Sequence, residues 1–98
     1  MRRFEVEILP EAEAEIRAAF RWYVARSQIA ADSFRSEVFA AIDGLEESGD
    51  TWASDEDGIR RYFQSPFPYT VYYELLGSCI TVFAVGHQRR KPRYWEAQ

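Results

Sequence analysis

The chain opens with strict alternation between apolar and charged positions. Phe4, Val6 and Ile8 are each separated by a glutamate, so an extended backbone would carry one apolar face and one charged face. This pattern predicts a half-buried strand over Arg3–Leu9. Pro10 cannot continue a strand ladder, and it suits the first turn of a helix. A helix is therefore predicted to follow the strand immediately.

Two stretches then repeat apolar residues every three or four positions, the spacing of an amphipathic helix. The first predicts a helix from about Glu11 to Ala25, and the second predicts a helix that Gly49 would cap. The apolar positions are Ala12, Ile16, Ala19, Phe20 and Tyr23 in the first stripe and Ala30, Phe34, Val38, Ala41, Ile42 and Leu45 in the second. A short join, "RSQIA", makes the pair an antiparallel hairpin. Glu11, Glu13 and Glu15 are expected to form a solvated face of the first helix.

Three β-rich runs complete the chain. "IRRYF", "YTVYYEL" and "CITVFAV" are separated by the proline-containing "QSPFP" and by the turn "LGS", and such short joins favour antiparallel neighbours. The predicted fold is α+β, a single domain over residues 1–98 in the order β-α-α-β-β-β. A helical hairpin would pack on one face of a small, twisted, mostly antiparallel sheet. The other face would be half exposed or covered by a partner.

Composition narrows the class of protein. A hydrophobic content of 47% in 98 residues suits one packed core. No apolar run is long enough for a membrane span, and the amino terminus does not resemble a signal peptide. The single cysteine, Cys79, is expected to be a packed thiol. With His87 as the only histidine, neither a zinc site nor any cofactor is expected, and the chain is assigned to a reducing cytoplasm.

Charge is distributed unevenly. Residues 1–57 carry a net charge of −8, whereas residues 58–95 carry +5, although the whole chain is at −4. Eleven of the twelve cations are arginines, the side chains best suited to bidentate contacts with carboxylate or phosphate groups. Such asymmetry indicates an interaction surface, although a solvated face explains the counts equally well.

Two dibasic pairs carry most of the positive charge. Arg60 and Arg61 begin one predicted strand, and Arg89 and Arg90 follow another strand of the same meander. If those strands pair, both dibasic elements can meet at one edge of the sheet. Tyr62, Tyr69, Tyr94 and Trp95 could surround them, which would suit a polyanion such as RNA or an acidic protein. Alternatively, the two C-terminal aromatics fold back to close the core and the arginines form its hydrated rim. His87 could act in acid–base chemistry or make a structural hydrogen bond.

The same residues resemble a known family. The helical order "A-x-x-E-I…WY…A…F…I", the segment "IRRYFQSPFPYTVYY" and the ending "ITVFAVGHQRRKPRYW" are similar to the RelE/ParE superfamily of type II toxin–antitoxin toxins, especially its plasmid-stabilisation members. The resemblance covers nearly the whole chain. It implies a helical hairpin on a small antiparallel sheet, and a toxin held inactive by a cognate antitoxin in a toxin–antitoxin hetero-oligomer.

The resemblance leaves two targets open. RelE-like members cut messenger RNA on the ribosome, whereas ParE-like members inhibit DNA gyrase. Arg61 and Tyr94 fall where a RelE-type nuclease has a catalytic lysine and tyrosine, but Phe63, Thr70 and Gln88 replace three of its cationic residues. His87 and Arg90 could substitute in an mRNA endoribonuclease. Because the chain is acidic and lacks those three cations, a ParE-like gyrase inhibitor is expected, and a degenerate non-toxic module is a further alternative. The residues expected to bind the target are Arg60, Arg61, His87, Arg89, Arg90, Tyr94 and Trp95.

Overall fold

A computed structural model describes residues 2–64, 66–91 and 93–97, without the side chains of Phe63, Gln64 and Ala97. Ser65 of the proline-containing break and Pro92 of the C-terminal motif lie outside the described residues. The elements are β1 (Glu5–Ile8), α1 (Pro10–Val24), α2 (Gln28–Ser48), β2 (Ile59–Gln64), β3 (Tyr69–Leu76), β4 (Cys79–His87) and a short 3-10 helix (Tyr94–Ala97). Their order confirms the predicted β-α-α-β-β-β arrangement.

The sheet has four strands in the order β1-β4-β3-β2. The chain from β2 to β4 forms an antiparallel meander, while β1 pairs with β4 in parallel. The sheet is therefore mixed and mostly antiparallel, as expected. β1 is shorter than predicted, because the backbone N–H groups of Arg3 and Phe4 donate to the Glu46 carbonyl at the end of α2, at 2.9 and 3.0 Å.

Local residue types determine where the two α-helices begin and where α2 ends. Pro10 lies at the start of α1, and the Ser27 hydroxyl caps α2 by accepting from the backbone N–H of Ala30 at 3.2 Å. Gly49 caps the end of α2 as predicted, but its backbone is right-handed, so conformational freedom is not the reason for a glycine. A side chain there would overlap Ile80 of β4. Gly49 therefore allows the end of α2 to approach the sheet closely.

The core lies between the helical hairpin and one face of the sheet. Its largest fully buried side chains include Phe34, Ile42, Leu45 and Ile80, together with Tyr73. The phenol of Tyr73 donates a hydrogen bond to the Gly49 carbonyl at 2.7 Å, which satisfies two buried polar groups. The predicted stripes are confirmed with one shift: Ala31 is fully buried, whereas Ala30 is only partly buried.

A bulge interrupts the pairing of β3 with β4. Tyr72 pairs with Ala84 and Tyr73 pairs with Val82, so Phe83 is an extra residue in β4. Alternation along β4 restarts beyond this point, and Val82 and Val85, three residues apart, both join the core. Gly86 consequently faces away from the helices. We call that side of the sheet the open face.

Two smaller findings concern the exposure of Cys79 and the length of the helices. Cys79 is exposed at the start of β4, so the prediction of a packed thiol is wrong: the strand turns its second residue, Ile80, into the core instead. Within the described ranges, no helix is both long and apolar enough to span a bilayer.

Candidate functional site

The C-terminal segment, residues 93–97, folds back onto the open face of the sheet. The ring of Trp95 lies 4.5 Å from that of Tyr72 and 5.2 Å from that of Phe83, close enough for favourable aromatic packing. The bulge at Phe83 supplies one of these contacts. The terminal aromatics therefore fold back, but they cover the open face and do not close the core, with Trp95 as the central anchor.

Tyr94 is held where the sheet and α1 meet. Its ring covers Gly86, where any side chain would overlap it. Its phenol donates a 2.5 Å hydrogen bond to one carboxylate oxygen of Glu15, and the other oxygen accepts the backbone N–H of Val85 at 2.8 Å. β1 ends opposite Val82, so the N–H of Val85 has no strand partner and the Glu15 side chain takes that place. The expectation that Glu15 lies on a solvated face is therefore wrong.

Arg90 completes this cluster. Its guanidinium carbon lies 3.9 Å from the centroid of the Tyr94 ring, and one of its nitrogens lies 3.9 Å from the Glu15 carboxylate. Burial, followed by the hydrogen bond to Glu15, raises the pKa of Tyr94 well above its usual value. The phenol is the donor in the bond to Glu15, and its surroundings make it harder to deprotonate than an exposed tyrosine.

The structure separates the first dibasic pair. In the ladder Arg60 pairs with Tyr73 and Arg61 pairs with Tyr72, so the two arginines point to opposite faces. The guanidinium of Arg60 donates to the backbone carbonyls of Asp50, at 3.3 Å, and of Trp52. The expectation that Arg60 joins one surface with Arg61 is wrong, because β-strand alternation turns it towards the loop that follows α2.

Arg61 does reach the open face. It is exposed, and its guanidinium lies 6.0 Å from the Tyr72 ring. Tyr72 in turn contacts the rings of Trp95 and Tyr94, at 4.5 and 6.4 Å. Arg61, Tyr72, Trp95, Tyr94 and Arg90 therefore follow one another across the open face. We call these five residues the arginine–aromatic row.

The turn after β4 positions the remaining candidates. The Nδ1 atom of His87 accepts the backbone N–H of Arg89 at 3.0 Å, and its ring packs edge-on against Tyr69 at 5.4 Å. His87 thus makes a structural hydrogen bond that shapes the turn. The Arg89 side chain is exposed, and among the described residues none forms an ion pair or hydrogen bond with its guanidinium. It is available to a partner.

Arg93 ties the C-terminal segment to the acidic loop before β2. Its guanidinium contacts the carboxylates of Asp55 at 2.9 Å, Asp57 at 2.7 Å and Glu96 at 3.2 Å. Its backbone is left-handed, with φ of 57°, a conformation that costs a non-glycine residue about 1 kcal/mol or more. Contacts with three carboxylates offset that cost and fix the direction in which the segment returns to the sheet.

A groove of about 550 Å³ runs between α1 and the end of β4. The groove is lined on the α1 side by Glu15, Ala18, Ala19, Trp22 and Tyr23, and on the other side by residues that include Gly86, His87, Arg89 and Arg90. The floor and helical wall are mostly apolar, whereas the end after β4 is cationic. This arrangement suits a segment that combines apolar and acidic side chains.

The set of side chains that the resemblance assigns to a RelE-type nuclease is incomplete, both in residue type and in where the residues lie. Thr70, where an arginine would be required, is buried to 1% exposure, while the Phe63 side chain lies outside the described part of the chain. Within that described part, no group of three or more His, Cys, Asp or Glu side chains could hold a metal ion. The Tyr94 phenol is already engaged by Glu15. The surface therefore offers charge and aromatic area for binding.

Sequence reasoning missed two members of the site. Glu15 follows the first stripe residue, Ala12, by three positions and precedes Ile16, which places it at the border of the buried stripe. That position was a usable signal. Tyr72 stands among alternating β residues, and its role on the open face depends on the returning C-terminal segment, for which the strand pattern holds no signal.

Comparisons with known proteins bear on the family and the fold of this chain. The chain matches the family model described as the ParE toxin of the type II toxin–antitoxin system, parDE, over residues 6–92. No curated protein matches significantly. A solved structure of the chromosomal ParDE TA system from P. aeruginosa is similar with a TM-score of 0.77 and 16% identity, covering 87% of this chain and 96% of that one; at this identity it shows the fold alone. Because the family match spans most of the residues that build both the hairpin and the sheet, this chain belongs to the ParE toxin family of type II toxin–antitoxin systems.

Proposed function

We propose that this chain is a toxin that inhibits DNA gyrase by binding it, and that a cognate protein antitoxin neutralises it. The binding surface would be the arginine–aromatic row together with Arg89. Exposed arginines would meet carboxylates or phosphates of the target, and Trp95 and Tyr94 would supply the aromatic anchors that dominate many interfaces.

The observation that carries this proposal is the state of Tyr94. A nuclease that used this tyrosine as a general base would need its phenol available and readily deprotonated near neutral pH. Here the phenol donates to Glu15, and burial together with that bond raises its pKa. The replacement of three expected cations by Phe63, Thr70 and Gln88 supports the same preference for binding over RNA cleavage.

The test compares purified protein in a gyrase supercoiling assay and in an in vitro translation assay. We expect inhibition of supercoiling with intact transcripts. Arg61→Gln and Arg89→Gln should each weaken inhibition, by about tenfold if each guanidinium makes one charge-assisted contact. Arg35→Gln is the matched control, because Arg35 is exposed on α2 beside Phe20, away from the row.

Transcript cleavage without any effect on supercoiling would contradict the proposal and indicate the mRNA endoribonuclease. Normal growth on induction without an antitoxin, combined with no effect in either assay, would indicate a degenerate module. Point substitutions are preferable to truncation after Gly86, since truncation would also remove Trp95 from Tyr72 and Phe83 and expose the sheet.

For neutralisation, we propose that the antitoxin lays a segment of aliphatic and acidic residues in the groove between α1 and β4. Charge complementarity supports this occupant, because Arg89, whose guanidinium has no partner among the described residues, lines a groove whose helical wall is apolar apart from Glu15. Ala18→Arg would fill that wall without touching the core, since Ala18 is exposed.

The antitoxin can be identified as a protein co-purified with this chain from its own operon. Its dissociation constant for Ala18→Arg should rise at least about tenfold by steric exclusion, while Ala14→Arg, an exposed alanine on the same helix that does not line this groove, should bind normally. Equal binding by both variants would refute this docking site and leave the proposal about the target untouched.

A further inference from the structure

We infer that Glu15 is a positioning residue that clamps the cationic end of the chain against the sheet. This inference deepens the proposed function and rests on it for its consequence, since the clamp would hold part of the target-binding surface in place. Its structural claim is independent of the target.

Glu15 brings three separate parts of the chain together. Its own helix, α1, lies against β4; its Oε1 accepts the Val85 backbone N–H at 2.8 Å; and its Oε2 accepts the Tyr94 phenol at 2.5 Å and lies 3.9 Å from Arg90. Val85 belongs to the rigid core, whereas Arg90 and Tyr94 belong to the turn and segment that follow β4. The carboxylate therefore connects a fixed strand to the part of the chain that would meet the target.

The position of the Glu15 side chain lets it control where the residues after β4 lie. The Gln88 N–H donates to the Pro68 carbonyl, but beyond Gln88 the backbone hydrogen bonds of the described residues are short-range turn contacts, such as the Arg90 N–H to the His87 carbonyl and the Tyr94 N–H to the Lys91 carbonyl. Tyr94 also rests on Gly86 without any side chain to interlock with it. Trp95 packing and the Arg93 ion pairs anchor the neighbouring residues of the segment. The charge-assisted bond from Glu15 holds the Tyr94 ring itself and, stacked on that ring, the Arg90 guanidinium.

Limited trypsin digestion of the full chain measures this clamp without any target. Cleavage after Arg89, Arg90 and Arg93, quantified by mass spectrometry, reports opening of the terminal region, and cleavage after Arg26 in the helical hairpin is the internal reference. Glu15→Gln keeps the side-chain length and an acceptor for Val85, but it loses the charge that holds Tyr94 and Arg90. Glu13→Gln makes the same chemical change at an exposed position two residues earlier.

We expect Glu15→Gln to raise the terminal cleavage rate by about tenfold or more relative to the reference site, the population change that follows from losing a hydrogen bond to a charged group. Glu13→Gln should match the wild type. Rates within about twofold of the wild type for Glu15→Gln would overturn the clamp. So would equal acceleration at Arg26, because that would mean global destabilisation.

The gyrase assay then tests the functional consequence. If the wild type inhibits supercoiling, Glu15→Gln should need a higher concentration for half inhibition by a similar factor, whereas Glu13→Gln should inhibit like the wild type. Full potency despite released termini would overturn positioning of the target surface. If the wild type has no effect on gyrase, the proposed function fails, while the digestion result still decides whether Glu15 is the clamp.

Discussion

Gly86→Ala is the smallest change that should disturb the candidate site. Gly86 is a buried residue of β4 whose backbone does not require a glycine, and the space that a methyl group would need is occupied by the Tyr94 ring. In an unobstructed strand the substitution would stabilise the fold by about 0.5–1 kcal/mol through the lost flexibility of glycine. Any net destabilisation therefore measures the displacement of Tyr94.

The structure allows the size of the effect to be worked out. Introducing a methyl group into a filled space typically costs about 1–3 kcal/mol. The ring cannot move away freely, because it would lose a hydrogen bond to a carboxylate worth about 1.5–3 kcal/mol and the stacking of Arg90, worth about 0.5–1 kcal/mol. Subtracting the glycine benefit from the middle of that range, we expect a net loss of about 1 kcal/mol, or a melting temperature lower by roughly 4–8 °C.

Urea unfolding followed by circular dichroism measures this free energy, with Gly44→Ala as the matched control. Gly44 lies within α2 and no atom lies within 4 Å of where its methyl group would be, so the same substitution should stabilise the fold by about 1 kcal/mol. The two changes should thus have opposite signs. If Gly86→Ala has the same free energy of unfolding as the wild type, the reasoning is refuted, because Tyr94 then does not rest on this strand.

Further predictions concern the core and the surface. Tyr73→Phe should lower the free energy of unfolding by about 1–3 kcal/mol, because the Gly49 carbonyl loses its buried donor; urea titration checks this. Burial raises the pKa of Tyr73 to about 12, so its stabilising effect is complete below pH of about 10 and is lost as pH rises through about 12. Between those two pH values the urea midpoint of unfolding should fall as pH rises, and it should fall less steeply in Tyr73→Phe than in the wild type. The hydrogen bond from Arg3 lowers the pKa of Asp50, so its contribution is complete above the unfolded pKa and is lost as acidification passes the lower folded value; Asp50→Asn should flatten that acid limb, and an unchanged limb would contradict the pairing. Cys79 should react with a thiol reagent in the folded protein as fast as after denaturation, whereas marked protection would show that it is buried.

The local patterns predicted both α-helices and all four strands in the right order, but not the short 3-10 helix at Tyr94–Ala97. The period-two alternation around Val6 and the three-to-four spacing of Phe34, Val38 and Ile42 each indicate which side of the element is buried. Burial could therefore be inferred from the sequence alone. The strand ends were less predictable. β1 loses Arg3 and Phe4 because their N–H groups bond to Glu46, a residue more than forty positions away.

Only the residue types of the candidate site, and not their arrangement, could be predicted from the sequence. Arg61, Arg90, Tyr94 and Trp95 were identified from their types and clustering, and all four lie on or at the edge of the open face. The prediction that Arg60 shares a surface with Arg61 was wrong because adjacent strand residues point to opposite faces. The alternation of strand residues could have shown this, but the dibasic pattern was given more weight. The carbonyl partners of Arg60 in the loop after α2 could not be foreseen.

By itself, the sequence determined the elements, the side of each that is buried and the chemistry gathered near the carboxyl end, because all three depend on neighbours a few residues apart. Tertiary structure alone decided how that chemistry is arranged. The bulge at Phe83 turns Gly86 to the open face, the segment carrying Tyr94 returns over it, and Glu15 reaches across from α1 to hold it there. These contacts join residues up to 79 positions apart, and such pairings depend on how the packed layers meet in space.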